Sequence, residues 1–447
     1  MSDLIIQSQR VVLPDGVQPA RLTVRDGRIA AVEPWSPPRK TVTDVGDRVV
    51  MAGLVDSHVH INEPGRADWE GFETATQAAA AGGVTTIVDM PLNCVPPTLS
   101  AAALAEKSAV ATSSAWVDIG FWGGVVPGNA SDLQGLVEAG VLGFKCFLVD
   151  SAVPEFPPIS LAELAEVMPR LARWDTPLLV HAEAPEVIER ANRQFRSLSS
   201  QERRSYAAYA ASRPAEAEDQ AVEQLVELAR KYQAPVHVLH VSSAGVLQAV
   251  REAKAAGLTL TAETCPHYLT FAAEEITDGA TEFKCAPPIR DAENRERLWD
   301  GLRRGDLDLV VSDHSPCPAH LKEGDFDQAW GGISSLQLRL AATWTEARAR
   351  GAGIEDLADW LAAGPARLAG LAHKGAISAG KDADLVIWDP DEVFVVTEES
   401  LLHRHPPCPY LGRRLYGVVE TTFVGGNLVW DGELRSRPAG RLIAGRS

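Results

Sequence analysis

Asp56-Ser57-His58-Val59-His60 places two histidines one residue apart at the end of an apolar stretch. In a strand, residues two apart point to the same face, so His58 and His60 can hold one metal ion between them. Structural histidines are common and the pair means little alone. Its weight comes from its place at a strand end and from the residues that close the strands downstream.

Beyond His60, short apolar runs alternate with helical stretches. The runs are Val84 to Met90, Trp116 to Trp122, Val141 to Phe147, Pro177 to Ala182, Val236 to Val241, Leu258 to Thr264 and Leu309 to Ser312. With the strand ending near His58 they make eight. Eight parallel strands, each followed by a helix, describe a barrel of about 250 residues, the length that separates His58 from Asp313. An open doubly wound sheet is the alternative, but no glycine-rich phosphate loop follows the first strand. Ala101 to Val110, Leu161 to Leu171 and Gln220 to Ala229 carry apolar residues at helical spacing and belong to the outer ring. Arg190 to Ala215 is rich in Arg, Ser and Glu, and reads as a solvated surface helix or a mobile lid on the active-site side of the fifth strand.

Both ends of the chain have a different texture. Leu4-Ile5-Ile6, Val11-Val12-Leu13, Leu22-Thr23-Val24 and Ile29 to Val32 read as short strands, with turns at Asp15-Gly16 and Asp26-Gly27. Leu385 to Trp388, Val419 to Val424 and Leu428 to Trp430 repeat the pattern, with Gly425-Gly426-Asn427 as a hairpin turn. The expected fold class is therefore α/β: a (β/α)₈ TIM barrel over 52–375 carrying a small β-sandwich-like domain formed by both termini, 1–51 and 376–447.

Composition narrows the partners. A net charge of −18 argues against nucleic acid and anionic membrane surfaces, both of which reward clustered Lys and Arg. The N terminus has no basic region followed by a long apolar one, and no run is long enough to span a bilayer, so the expected compartment is the cytoplasm. The six cysteines are scattered and none forms a Cys-x-x-Cys pair, as expected for reduced, mostly buried thiols.

The chemistry gathers at the other strand ends. Lys145 in Gly143-Phe144-Lys145-Cys146-Phe147, His181 after Leu178-Leu179-Val180, His240 after Val238-Leu239 and Asp313 after Val310-Val311-Ser312 each close an apolar strand. For one of them a satisfied core polar group would be explanation enough. Five strand ends carrying such groups converge on one barrel mouth, where active sites of this architecture lie. Lys145 is the most informative, because an ammonium inside an apolar strand is costly unless it is paired or chemically changed. Its neutral amine can take up carbon dioxide to form a carbamate, whose two oxygens can bridge two divalent cations. A Schiff-base lysine is the competing reading, but it does not need four histidines and an aspartate around it. Cys146 must point away from the side that Lys145 faces. His267, Arg290 and His314 are assigned hydrogen bonds behind the ligands.

These residues resemble the cyclic amidohydrolases of the amidohydrolase superfamily, over nearly the whole chain and including the split β domain. Within that group, Glu63-Pro64-Gly65-Arg66, Trp69-Glu70-Gly71, Met90-Pro91-Leu92-Asn93, Asp313-His314-Ser315-Pro316-Cys317 and Ala329-Trp330-Gly331-Gly332 are most similar to the branch that opens the hydantoin ring of allantoin to allantoate. The resemblance implies that His58 and His60 with Asp313 hold one metal, that His181 and His240 hold the other, and that carboxylated Lys145 bridges them. It gives Asp313 the catalytic proton relay. Zinc is the implied metal, with cobalt, manganese or iron as alternatives that such donors accept. Asn62 stands where similar dihydroorotases carry an arginine that clamps a substrate carboxylate, which allantoin lacks. Asn93 and backbone near Ala286, Gly331 and Gly332 become substrate contacts, although Ala286 departs from the serine expected in much of the family. A homotetramer acting on a small molecule is implied. Hydantoinases, dihydropyrimidinases and dihydroorotases share the expected centre, and some relatives of this fold have lost metal ligands and serve as assembly proteins. Here all six ligand positions are filled.

Overall fold

The computed structural model describes residues 4–37, 42–405, 407–435 and 438–445. Met1, Ser2 and Asp3, which entered the reading of the N terminus, lie outside the described residues. In the middle of the chain Leu54–Val59 pairs with Val84–Asp89, and that strand pairs with Asp118–Phe121, continued by Gly123–Gly124. Phe144–Phe147, Leu178–His181, Val236–Val238, Leu260–Thr264 and Leu309–Val310 follow in order, every pair parallel. The barrel closes where Val59 bridges His314 in parallel and the His60 N–H donates to the His314 carbonyl at 2.8 Å. Strands of a closed parallel barrel are covered on both faces, which is why they read as continuous apolar runs rather than as alternation.

The seam between the first and eighth strands is held by buried charge. The Asp56 carboxylate accepts from the backbone N–H of His58 at 3.2 Å and of Ser312 at 3.2 Å. Arg339, itself fully buried, donates to the carbonyls of Val55 at 2.9 Å and Val310 at 3.1 Å, one on each side of the seam. These bonds set His58 and His60 against Asp313.

Two strands are shorter than the apolar runs suggest. Val236–Val238 and Leu309–Val310 end early because His240 and Asp313 take left-handed backbone, with φ of 34° and 45°. Asn62 and Asn93, at φ 69° and 68°, do the same after the first two strands. Non-glycine residues in this region are uncommon and gather at functional sites.

The outer helices Ala101–Thr112, Leu161–Trp174 and Ala215–Tyr232 cover the expected stripes. The segment after the fifth strand departs from the sequence reading. Pro185–Arg196 and Tyr206–Ser212 are helices whose Phe195, Tyr206 and Tyr209 are buried. The Tyr209 hydroxyl donates to the Cys285 carbonyl at 2.7 Å, and the Tyr206 hydroxyl accepts from the Ile289 N–H at 2.8 Å. The stretch is thus a packed wall of the mouth. Its few apolar residues are large aromatics, which bury much area from sparse positions.

The two ends of the chain build one eight-stranded sheet, in which Val49–Ala52 lies between Leu4–Leu13 and Leu385–Val395. Leu4 to Leu13 is one strand rather than two. Polar Ser8-Gln9-Arg10 breaks the apolar pattern at a register shift, where the Ser8 hydroxyl donates to the Gly46 carbonyl at 3.1 Å and accepts from the Arg10 N–H. Asp26 and Gly27, at φ 48° and 76°, make the two-residue hairpin that Asp-Gly signals. Barrel and sheet are joined through Lys374, whose ammonium reaches Asp118 on the third barrel strand at 2.6 Å and also Asp382 and Asp384. Lys374→Met would leave buried Asp384 without an ion pair and Asp118 and Asp382 with Arg441 alone, and should cost about 3–5 kcal/mol. The expected result is a lower midpoint of urea unfolding with an unchanged slope.

Candidate metal centre

Six side chains meet at the carboxyl ends of the strands. His58 Nε2 lies 3.0 Å from Asp313 Oδ1 and 3.3 Å from Lys145 Nζ, and His60 Nε2 lies 3.6 Å from the same Asp313 oxygen. His181 Nδ1 and His240 Nε2 face each other at 3.0 Å. His58, His60, Lys145, His181 and His240 are each at most 5% exposed, and Asp313 is 8% exposed.

What lies behind the histidines fixes which nitrogen faces the centre. The Nδ1–H of His58 donates to Glu263 Oε1 at 2.6 Å, and the Nε2–H of His181 donates to Glu183 Oε2 at 2.6 Å. Glu263 also takes His237 Nε2 at 2.9 Å and the His240 backbone N–H at 3.3 Å, while Glu183 is paired with Arg213. Burial alone would raise both carboxylates. His58 and His237 outweigh it for Glu263, Arg213 and His181 outweigh it for Glu183, and both are held at about 2. Each is therefore an acceptor, and the ring it holds turns its other nitrogen inward. Neither glutamate stands out in the sequence as a ligand. The reasoning applied to Lys145, that a charge inside an apolar strand needs a partner, applies equally to Glu263 and is the signal that finds it.

Burial, with Lys145 and the neighbouring imidazoles, holds His60 and His240 well below their ordinary value, and burial lowers His181 too. Of the four, only His58 is raised: burial and Lys145 push it down, but Asp313 and Glu263 outweigh them. Asp313 is pushed up by burial, but His58 and Lys145 draw it below the usual carboxylate range. Burial lowers the Lys145 ammonium to about 8, against Asp313 and Glu263. Its neutral form is within easy reach near neutral pH.

The donor set fits divalent cations. His58 Nε2 stands 3.0 Å from an Asp313 oxygen, and His181 Nδ1 and His240 Nε2 face each other at 3.0 Å, so imidazole and carboxylate donors converge on one space. His240 Nδ1 is buried with no partner among the described residues. His58, His60 and Asp313 bring one donor atom each within 4.8 Å of one another. Imidazole and carboxylate together suit zinc, manganese, iron or cobalt. Cys265, His267 and Asp313 form a similar, buried group.

A cavity of about 370 Å³ opens above the cluster. Asn93, Ala286, Gly331 and Gly332 line it, whereas Asn62 lies beneath, buried, and donates to the Pro316 carbonyl at 3.3 Å. Asn93 reaches down to His60 Nδ1 at 3.3 Å, and Arg66 holds the Asn93 carbonyl at 2.8 Å. Gly332 must be glycine, because a Cβ there would fall 2.3 Å from the Ser315 carbonyl oxygen. Of the residues assigned to supporting bonds, His314 accepts from the Ser335 N–H at 3.2 Å and Arg290 pairs with Glu218. His267 departs from its assignment: both ring nitrogens are buried without a partner among the described residues, because the packing around Tyr268 encloses the ring. All six cysteines are free and buried.

The profile of the amidohydrolase family matches residues 49–429. The chain belongs to the amidohydrolase family. Among amidohydrolases it is 49% identical to the allantoinase of Streptomyces avermitilis, over 99% of each chain. It is 45% identical to the allantoinase of Arabidopsis thaliana, covering 98% of this chain and 90% of that one. The L-hydantoinase (dihydropyrimidinase) from Arthrobacter aurescens superimposes with a TM-score of 0.93 at 31% identity, covering 99% of this chain and 100% of the other. That fold is an amidohydrolase barrel with a terminal β domain.

Glu263→Gln should keep the fold but weaken orientation of His58, lowering metal affinity about 10–100-fold. Titration of metal-free protein with zinc in competition with a chelator reads this directly.

Proposed function

We propose that this amidohydrolase opens the hydantoin ring of allantoin by hydrolysis, giving allantoate. The observation that carries the reading is the 49% identity, end to end, with the Streptomyces allantoinase.

His58, His60 and Asp313 would hold one divalent ion and His181 and His240 the other, with Lys145, carboxylated by carbon dioxide, between them. When bound, such ions supply Lewis acidity, polarising the amide carbonyl and making water a nucleophile at neutral pH. Asp313 takes the proton of the attacking water and delivers it to the leaving ring nitrogen, a role that needs a carboxylate ionised at working pH. Glu263 and Glu183 keep the imidazoles oriented while this proton moves. Zinc is the metal we favour.

The wall of the cavity suits an uncharged substrate. Arg66 is committed to the Asn93 carbonyl and Glu155, Arg290 to Glu218, and of the cations in the cavity lining Arg213 to Glu183, Arg196 to Asp327 and Lys284 to the Ala329 carbonyl, so none of them stands in for the arginine that Asn62 replaces. A substrate carboxylate buried there without a cation would cost several kcal/mol. We further propose a cytoplasmic homotetramer; among the described residues no helix is long and apolar enough to cross a membrane.

A hydantoinase or dihydropyrimidinase activity is the second reading, favoured by the structural match to the Arthrobacter enzyme. Rates of the metal-loaded protein on allantoin, hydantoin, dihydrouracil and dihydroorotate separate the two. Allantoin should be turned over fastest and dihydroorotate slowest. Faster turnover of hydantoin or dihydrouracil would move the assignment to the second reading, and faster turnover of dihydroorotate would overturn the charge argument.

Lys145→Ala should lower activity at least about 100-fold, the upper end for groups that only orient ligands. Short carboxylic acids should restore part of it by standing in for the carbamate. An unmodified Lys145 in the intact mass of active, metal-loaded protein would contradict the carboxylation.

A further inference from the structure

Beyond the ligands, the cavity wall from Ala329 to Gly332 is held in an unusual way. Lys284 donates its ammonium to the Ala329 carbonyl, and Lys322 donates to the carbonyls of Trp330, at 3.0 Å, and Gly332. Among the described residues neither ammonium makes an ion pair with a carboxylate. Both lysines are only partly exposed, so backbone oxygens of this one segment take over much of their solvation.

The N–H groups of the segment are also largely consumed. Trp330 donates to the Leu321 carbonyl at 2.7 Å, and Gly332 donates to the carbonyl of Lys284 itself at 2.8 Å. With the Ala329 N–H given to the Asp325 carbonyl at 3.0 Å, three carbonyls and three N–H groups are thereby used up inside the wall. Gly331 differs. Among the described residues no hydrogen bond is made by its N–H or carbonyl, a Cβ there would meet nothing within 4 Å, and the residue lines the cavity above the metal ligands. It carries one free donor and one free acceptor beside open space.

We propose that Lys284 and Lys322 are positioning residues that clamp Ala329–Gly332 so that Gly331 is the peptide group presented to the substrate. A cyclic amide edge offers one C=O and one N–H, which a single peptide group complements. Charge-assisted bonds from two ammonium groups are roughly twice as strong as neutral ones and keep the three neighbouring carbonyls turned away from the substrate. Without them those carbonyls would be free to swing into the cavity and compete as acceptors. The proposal rests on the reading of the cavity as a cyclic amide site.

The test uses Lys284→Met and Lys322→Met in the metal-loaded enzyme, which keep the stem but remove the donor. Lys284→Arg and Lys322→Arg, which keep charge and donors, run beside them. Two readouts are taken: KM against kcat for allantoin, and hydrogen exchange of the peptide spanning 329–333. In the Met variants KM should rise about tenfold, the weight of one charge-assisted bond, with kcat little changed. Exchange in 329–333 should accelerate about tenfold while that of 178–181 stays as in the wild type. The Arg variants should recover most of both. Unchanged KM in both Met variants overturns the proposal whether or not exchange rises, and so does a KM raised equally in the Arg variants. If the wild type does not open allantoin but exchange still rises in the Met variants and is restored by Arg, the proposed substrate fails while the clamp stands.

Discussion

The closure of the barrel between its first and eighth strands is the constraint on which the site depends. His58 and His60 leave one side of that seam and Asp313 leaves the other, so their meeting requires the two strands to be in one register. Asp56 and Arg339 supply it, by taking backbone groups from both sides in a buried region. A buried charge of this kind is stable only when its partners are in place, so it specifies register more sharply than apolar packing could.

The same logic runs outward from the seam. Glu263 collects two imidazoles and a backbone N–H from the first and sixth strands, and Glu183 is locked between His181 and Arg213. Behind the second strand Lys107 pairs with Asp89, whose other oxygen takes the Ile61 N–H between His60 and Asn62 at 2.9 Å. The candidate ligands are thus held by hydrogen bonds to fully buried acids. The imidazoles are buried and mostly neutral, and the histidine nearest Asp313 is the one raised. Imidazole and carboxylate donors gathered in this way are suited to receive cations.

The hydantoinase superimposes over 99% of this chain with a TM-score of 0.93 at 31% identity, so barrel and terminal β domain are common to both. Allantoinases of Streptomyces and Arabidopsis match 98–99% of this chain at 45–49% identity, and the loops at its mouth include the Ala329–Gly332 wall and the aromatic wall of Phe195 and Tyr209. The barrel positions those loops but does not dictate their sequence.

Sequence alone was enough to read the eight strands, the terminal β module and the six side chains at the strand ends. Strand period, turn residues such as Asp26-Gly27, and the cost of a lysine inside an apolar run are local properties, legible along the chain. Glu263 and Glu183 carry the same cost, but their partners are what give them a role, and those lie on other strands. Other features had no local signal. The break at Ser8 looked like two strands because a bulge is defined by its partner strand, and Arg190 to Ala215 looked solvated because its aromatics find their neighbours in residues 283–289 and 326, far along the chain. Asn62 and Asn93 share a residue type and a left-handed backbone, yet one faces a carbonyl beneath the site and the other lines the cavity. Which way a loop side chain points depends on contacts between segments distant in sequence, and those exist only once the barrel has closed.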